Sequence, residues 1–221
     1  MAKPIGFSAF LKLLQLLDGP RKTELRKKLA GGGGFQYWRP IQLQAPKAIM
    51  PGADIKSLRA EIASLCSNHQ KEYNENAFDT FTKWIEGKSL TPIESLPTIE
   101  ADFGNSGLVV RLRPDVSFKL DGVAYSMVLW ATTKPLLTVQ ALSVGLYFLA
   151  QAYKAEGHVH RQHLIFDTVS NQLFREADIL PSTVHLLDAK VAAFKKDWDE
   201  LNPAPAKPSG KPEPDQPTVT K

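Results

Sequence analysis

Two acidic residues and a lysine in the middle of this sequence have the chemistry to hydrolyse a phosphodiester. Asp115 directly follows Pro114, with Glu100 upstream of it and Lys134 downstream. Such hydrolysis needs at least two carboxylates that converge on Mg²⁺ and a lysine that stabilises the attacking water or the developing charge. One interpretation is therefore a displaced active site of Glu100, Asp115 and Lys134 with Mg²⁺ as cofactor. A second is that Asp115 is simply a turn residue after a proline. A third is a non-catalytic binding role for the same groove.

Basic residues in two parts of the chain are candidates for contact with a polyanion. Arg111 and Arg113 alternate along a predicted strand, so they project from one face beside Asp115. Such a pair can contact phosphates, although an exposed strand face also needs charge for solubility. The first thirty residues are rich in lysine and arginine as well. The candidate nucleic-acid-binding residues are Arg21, Lys22, Arg26, Lys27, Lys28, Arg111 and Arg113.

Other common site patterns are missing. His158 and His160 would share one face of an extended chain, but His163 falls on the other face, and no cysteine or nearby acid completes a tetrahedral zinc set. The glycine run at 31–34 lacks the Lys-Ser/Thr of a phosphate-binding loop, which favours a flexible joint. Gly-x-Ser-x-Gly and Gly-x-Gly-x-x-Gly do not occur. We therefore expect no cofactor, apart from Mg²⁺ if the displaced site exists.

Three aromatic residues lie close together after the glycine run. They are Phe35, Tyr37 and Trp38. The simpler interpretation is an anchor that docks the N-terminal arm onto the core. The alternative is a surface on which nucleobases stack.

The segment from Leu108 to Glu176 predicts a mixed sheet. Its apolar residues alternate with polar ones, as in half-buried strands, and Asp121-Gly122 is a strong signal for a tight β-hairpin. Thr138 is a suitable N-cap for the helix that follows. The predicted elements are strands at 108–113, 116–120 and 123–133, a helix from Thr138 to Lys154, and strands at 163–167 and 172–176.

The flanking segments predict helices and a disordered tail, which gives an α+β class overall. Pro46 and Pro51 predict a loop, Asp54 is expected to begin a helix, and Asn74 or Asn76 another. Ser182 is expected to cap a last helix. The predicted parts are a basic helical hairpin with its glycine joint (1–34), a helical region (35–88), an α+β core (89–202) and a disordered proline-rich tail (203–221).

The order strand, Pro114-Asp115, strand, hairpin, strand, helix, strand resembles the core of the PD-(D/E)XK nuclease superfamily, which has the restriction-endonuclease-like fold. The helical segment Gln140 to Tyr147 is similar to the Gln-to-Tyr helix of RecB-type members. The resemblance implies that Asp115 corresponds to the metal-binding aspartate of the family. Active members also carry Glu-x-Lys or Asp-x-Lys on the third strand. The third strand here, Val123 to Thr133, contains no carboxylate. The resemblance therefore implies the fold without its usual hydrolytic chemistry.

Composition sets broad limits on the function. The 221 residues are 43% hydrophobic and 23% charged, as in ordinary globular proteins. No apolar run reaches the ~18 residues that a membrane helix needs. The start lacks the pattern of a secretory signal, and the lone Cys66 suits a reducing compartment, so we expect a cytoplasmic protein without a membrane partner. A net charge of +4 permits nucleic-acid binding without requiring it.

The leading hypothesis is a catalytically inactive, nuclease-like domain that binds a partner, either nucleic acid or another protein, in a bacterial or mobile-element system. The basic N-terminal hairpin would dock electrostatically, with Arg111 and Arg113 lining the former cleft. The first alternative is a metal-dependent nuclease with its site at Glu100, Asp115 and Lys134. The second is a structural protein that shares only the order of elements.

Overall fold

In the described residues, two β-sheets with helices on both sides make up the fold. The computed structural model describes residues 4–30 and 37–201. In chain order the elements are β1 (Ile5–Gly6), α1 (Phe7–Gln15), α2 (Asp18–Leu29), α3 (Arg39–Ala48), α4 (Ile55–Leu65), α5 (Asn68–Ile85), β2 (Thr91–Pro92), β3 (Ile99–Asp102), β4 (Val109–Leu112), β5 (Val116–Leu120), β6 (Val123–Trp130), α6 (Val139–Ala155), β7 (Gln162–Asp167), β8 (Gln172–Arg175), a short 3-10 helix (Glu176–Asp178) and α7 (Thr183–Leu201). The predicted α+β class, with N-terminal helices and a mixed central sheet, is confirmed.

The larger sheet has the strand order β2-β5-β6-β7-β8. Strands β6 and β7 are parallel and are connected through α6, whereas the other neighbours are antiparallel. The predicted hairpin between β5 and β6 is confirmed, because Asp121 and Gly122 both have positive φ angles, 51° and 80°, as a two-residue type I′ turn requires.

The smaller sheet has the strand order β1-β4-β3, with β4 in the middle. Strand β4 is antiparallel to β3 and parallel to β1. The chain leaves this sheet at Leu112 and enters the larger one at Val116, so Pro114 and Asp115 lie at the passage between the two sheets. Pro114 has no N–H with which to continue a ladder, which is consistent with a break at this position.

Helix α6 covers one face of the larger sheet, and α1 and α7 pack against α6. Their apolar side chains form a single cluster with residues of the smaller sheet and with Val128 and Ile165 of the larger one. Within it, Phe10 packs against Phe103, Phe148 and Phe194, with ring centroids 4.8, 5.3 and 6.3 Å away. Burial of such rings is the main favourable contribution to folding in this layer.

The other face of the larger sheet is covered by α3, α4 and α5. Ile41, Phe78 and Phe81 are fully buried and belong to one cluster with the sheet residues Phe118, Met127, Leu129 and Phe166. The helical region predicted at 35–88 therefore packs directly on strands of the predicted 89–202 core. The two regions share a hydrophobic core.

The helix boundaries correct two predictions and support two others. Pro46 lies inside α3 rather than in a loop, because Ile41, Ala45 and Ala48 recur at helical spacing and are buried. Helix α5 begins at Asn68, not at Asn74 or Asn76, since Ser67 and Gln70 form a capping box that starts it earlier. The Asp54 and Thr138 caps are present as predicted, each side chain accepting from backbone N–H groups of its helix.

Several predicted features lie outside the described residues. These are the glycine joint at 31–34, the aromatic Phe35 and the proline-rich tail at 203–221. Among the helices that are described, none combines the length and the apolar character required to cross a bilayer.

Candidate functional site

Asp115 lies at the edge of the larger sheet where the parallel strands β6 and β7 end. Strand β5 runs antiparallel to β6, so its beginning, with Asp115 just before it, is at the carboxyl end of β6. The loop 131–138 leaves β6 at the same edge and leads to the amino end of α6. We call Asp115, this loop and the Asp167–Thr168 end of β7 the carboxyl edge. Ligands of open α/β sheets commonly bind at such an edge.

The carboxylate of Asp115 has a structural partner in β6. Leu129 donates its backbone N–H to Asp115 Oδ2 at 2.8 Å, while the Asp115 N–H donates to the Met127 carbonyl at 2.8 Å. Burial raises the pKa of Asp115 to about 7, although the Leu129 N–H and the charge of Arg113 act in the opposite direction. The side chain therefore completes the strand pairing and titrates near neutral pH.

The strand next to Asp115 presents only apolar side chains at this end. Near the Asp115 carboxylate, both faces of β6 carry buried apolar residues. These are Val128 and Trp130 on one face and Leu129 and Ala131 on the other, all at most 4% exposed. The nuclease pattern would place a carboxylate and a lysine here. No second carboxylate is supplied by this strand.

The other two residues of the predicted displaced site lie in different surroundings. Glu100 belongs to β3 in the smaller sheet, where its Oε1 accepts from Arg111 Nη2 at 2.8 Å and Nε at 3.0 Å. Lys134 is exposed on the loop 131–138, at the carboxyl edge. The charged side chain that influences the pKa of Asp115 is Arg113, not Glu100 or Lys134.

Acidic, histidine and cysteine side chains do not gather into a metal site. Within residues 4–30 and 37–201, no group of three or more of them is arranged to hold an ion. Asp167, at the end of β7, uses both carboxylate oxygens on its own turn, accepting from the Val169 N–H at 2.9 Å and the Ser170 hydroxyl at 2.7 Å. Its carboxylate is thus a turn cap.

Two of the candidate nucleic-acid-binding residues in α2 are engaged within the protein. Arg21 is 4% exposed, and its Nε donates to Asp197 Oδ2 of α7 at 2.6 Å while its guanidinium lies 5.3 Å from the centroid of Phe194. Lys22 lies 2.5 Å from Glu200 and 3.7 Å from Asp197. These contacts join α2 to α7.

The remaining basic candidates differ in whether an acidic side chain already pairs with them. Lys27 pairs with Glu24 at 3.1 Å, and Arg111 pairs with Glu100. Arg26, Lys28 and Arg113 make no ion pair with any described residue, and Arg26 and Arg113 are exposed. Of these, Arg113 is the one within electrostatic reach of Asp115.

A group of aromatic rings lies at the surface beside the carboxyl edge. We call Tyr37, Trp38, His69 and Tyr73 the aromatic surface. Tyr37 contacts the other three, with ring centroids at 4.8 Å from Trp38, 5.8 Å from His69 and 6.2 Å from Tyr73. The sequence indicated Tyr37 and Trp38. His69 and Tyr73 have the i, i+4 spacing of one helix face, but the predicted start of α5 was too late to place them on the same helix.

His163 belongs to a buried polar row rather than to a metal site. Ser117, Ser126 and His163 are direct neighbours on β5, β6 and β7, each at most 4% exposed, and Tyr153 stacks on His163 with a centroid distance of 5.2 Å. Burial lowers the pKa of His163 to about 4, so the imidazole is neutral at physiological pH. The row is a feature of the core beneath α6.

Comparisons with known proteins do not assign this chain to a family. No protein-family model matches it, and a search of curated proteins finds no similar sequence.

Proposed function

We propose that this chain is a nuclease-like domain without hydrolytic activity that binds nucleic acid at the carboxyl edge. The observation that carries the proposal is the apolar end of β6 beside Asp115. A hydrolytic site of the nuclease pattern would need a carboxylate and a lysine at that end of the strand. Here the order of elements and the Pro-Asp step are similar to the pattern, while buried Val128, Leu129 and Trp130 occupy the end of β6 beside Asp115.

The state of Asp115 supports this proposal further. A carboxyl group binds Mg²⁺ only after it has lost its proton, so a pKa near 7 weakens it as a ligand at neutral pH. One oxygen also accepts the Leu129 N–H. A single carboxylate that is partly protonated and already accepts a backbone N–H has a low affinity for a metal ion. It also cannot orient a hydrolytic water at the same time.

The charges at the carboxyl edge favour an anionic partner. Arg113 and Lys134 are exposed there and make no ion pair with a described residue. The amino end of α6 opens on the same edge and adds a partial positive charge. Arg26 and Lys28 of α2 are further cations that make no ion pair with a described residue, and the net charge of the chain is +4. The proposed setting is the cytoplasm of a bacterial or mobile-element system, which suits the lone Cys66.

A fluorescence anisotropy titration tests nucleic-acid binding. Duplex and single-stranded oligonucleotides are titrated at two salt concentrations with the wild type and an Arg113→Ala/Lys134→Ala variant. Each lost phosphate contact should reduce the slope of log K against log salt by about 0.9 for a duplex or about 0.7 for a single strand. Lys56→Ala is the matched control and should bind like the wild type, because this exposed lysine at the start of α4 makes no ion pair with a described residue. Absence of binding even at low salt would refute the proposal.

A cleavage assay tests the lack of hydrolysis. Plasmid and oligonucleotide substrates are incubated with the protein and with Mg²⁺ or Mn²⁺, and we expect them to stay intact. Cleavage that disappears in Asp115→Ala would instead establish the alternative, a metal-dependent nuclease with a displaced site. Cleavage that survives the substitution would show that a hydrolytic site lies elsewhere in the chain.

A further inference from the structure

We infer that the aromatic surface stacks unpaired bases, so that the nucleic acid bound at the carboxyl edge is single-stranded. This inference rests on the proposed function and specifies its substrate class. Tyr37 lies at the centre of the surface, with Trp38, His69 and Tyr73 around it at centroid distances of 4.8 to 6.2 Å. The rings come from two separate chain segments, the residues before α3 and the first turns of α5.

Two of the rings, Tyr37 and Trp38, are fixed by hydrogen bonds. Buried Asn74 donates from Nδ2 to the Tyr37 carbonyl at 3.0 Å, and the Tyr37 hydroxyl donates to the His69 carbonyl at 2.8 Å. Trp38 Nε1 donates to Thr132 Oγ1 at 3.2 Å. A surface fixed in this way loses little conformational entropy when a flat ligand stacks on it.

The four rings of the aromatic surface are all at least partly open to solvent. Tyr73 is 48% exposed, His69 is also exposed, and Tyr37 and Trp38 are half-buried. Aromatic side chains that serve only as an anchor would bury most of their surface. Exposed rings beside fixed ones match the platforms on which bases of single strands stack, whereas the bases of a duplex are already stacked on each other.

The surface is continuous with the carboxyl edge, where Lys134 is an exposed cation. The bond from Trp38 to Thr132 joins it to the loop that carries Lys134. Lys71 is exposed and makes no ion pair with a described residue, but at two residues from His69 it lies on another face of α5. Exposed Glu72 is the opposing charge on α5, whereas the carboxylate of Glu75 is paired with Arg59 at 3.3 Å. A single strand that follows the carboxyl edge would place bases on the rings and a phosphate at Lys134.

The test compares an oligothymidine of about 20 nucleotides with a duplex of the same length by fluorescence anisotropy. Tyr73→Ala should weaken binding of the single strand by about 5- to 160-fold, the effect of losing one stacked base, and leave duplex binding unchanged. Tyr73→Phe keeps the ring and should bind like the wild type. Tyr147→Ala, which removes a half-buried tyrosine of α6 on the other side of the sheet, is the matched control.

The outcomes separate this inference from the proposed function. If the protein binds nucleic acid but Tyr73→Ala binds the single strand as well as the wild type does, the aromatic surface is not the contact and only the inference fails. Equal weakening for single strand and duplex also contradicts it. If neither form of nucleic acid binds to the wild type, both the inference and the proposed function fail. The thermal midpoint of each variant verifies that the fold is intact.

Discussion

At the scale of single residues, Asp115 and His163 show how burial changes the charge that a side chain carries. The pKa of Asp115 is raised to about 7, so its folded form holds a proton that the unfolded chain has already lost. The pKa of His163 is lowered to about 4, so its folded form lacks a proton that the unfolded chain binds. Their effects on stability have opposite signs. Stability from His163 is lost as the pH falls from about 6.5 towards 4, while the contribution of Asp115 is lost as the pH rises from about 4 to 7.

Replacing Asp115 with asparagine should isolate its contribution. Asparagine keeps an oxygen that accepts the Leu129 N–H but does not titrate, whereas His163 is unchanged in both proteins. We expect the wild type to lose stability relative to Asp115→Asn as the pH rises from about 4 to 7, by at most about 1.4 kcal/mol per pH unit. Urea unfolding at several pH values measures the difference. Asp121→Asn, in the exposed hairpin turn, should follow the wild type, and a pH-independent difference for Asp115→Asn would refute the raised pKa.

At the scale of elements, the helices are joined by a few close contacts that sequence patterns do not reveal. Arg21 of α2 and Asp197 of α7 form a buried ion pair, at 4% and 1% exposure. At the crossing of α1 and α6, Gly145 lies so close to Leu11 that there is no room for a β-carbon. The first contact depends on paired charges and the second on the absence of a side chain.

Removing Arg21 should destabilise the protein through its buried partner. In Arg21→Ala, Asp197 stays buried next to Lys22 alone, and the cost should be about 3–5 kcal/mol. Arg26→Ala, on the same helix but exposed and unpaired, should change stability by less than about 0.5 kcal/mol. Urea unfolding of both variants gives the comparison. If Arg21→Ala proves as stable as Arg26→Ala, the ion pair of Arg21 with Asp197 does not hold α2 to α7.

The same glycine-to-alanine change should have opposite effects in two helices. Gly145→Ala should destabilise the protein by about 1–3 kcal/mol, since the new methyl group overlaps Leu11. Gly19→Ala in α2, where nothing lies within 4 Å of the new atom, should stabilise it by up to about 1 kcal/mol because alanine favours the helix. Thermal unfolding of the two variants gives the sign. If Gly145→Ala is also more stable than the wild type, α1 and α6 can move apart at no cost in folding free energy.

At the scale of the whole molecule, one sheet separates two hydrophobic clusters and belongs to both. Residues of β6 alternate between them, with Val128 and Trp130 in the cluster under α6 and Met127 and Leu129 in the cluster under α3–α5. Loss of either helical layer would expose one face of this strand to water. The helical region at 35–88 and the sheet should therefore unfold together.

Substitutions in the two clusters should shift the same transition. Phe78→Ala of α5 should cost about 3–5 kcal/mol and Leu149→Ala of α6 about 2–5 kcal/mol, because both side chains are fully buried. Unfolding followed by circular dichroism and by tryptophan fluorescence should give coincident single transitions for both variants. Leu17→Ala, at a position 80% exposed, should leave the midpoint unchanged. Two separate transitions in either variant would show that the layers are independent.

Much of the sheet region followed from the sequence because its signals are local. The Asp121-Gly122 turn, the Thr138 cap and the alternating strand at 116–120 involve residues that are close along the chain, so their backbone preferences act before any long-range contact forms. The absence of a carboxylate in Val123 to Thr133 is likewise a property of the sequence itself. The α+β class was determined at this level.

Only the tertiary structure decided which charged residues are available for binding. Arg21 and Arg111 appear basic and exposed in the sequence, yet the first is buried against Asp197 from the far end of the chain and the second is paired with Glu100 on the neighbouring strand. Similarly, Pro46 is held in α3 by packing on the sheet, and the rings of the aromatic surface come from separate segments. These outcomes depend on contacts between distant residues, and the free energy of such contacts exceeds the local preferences that a sequence displays.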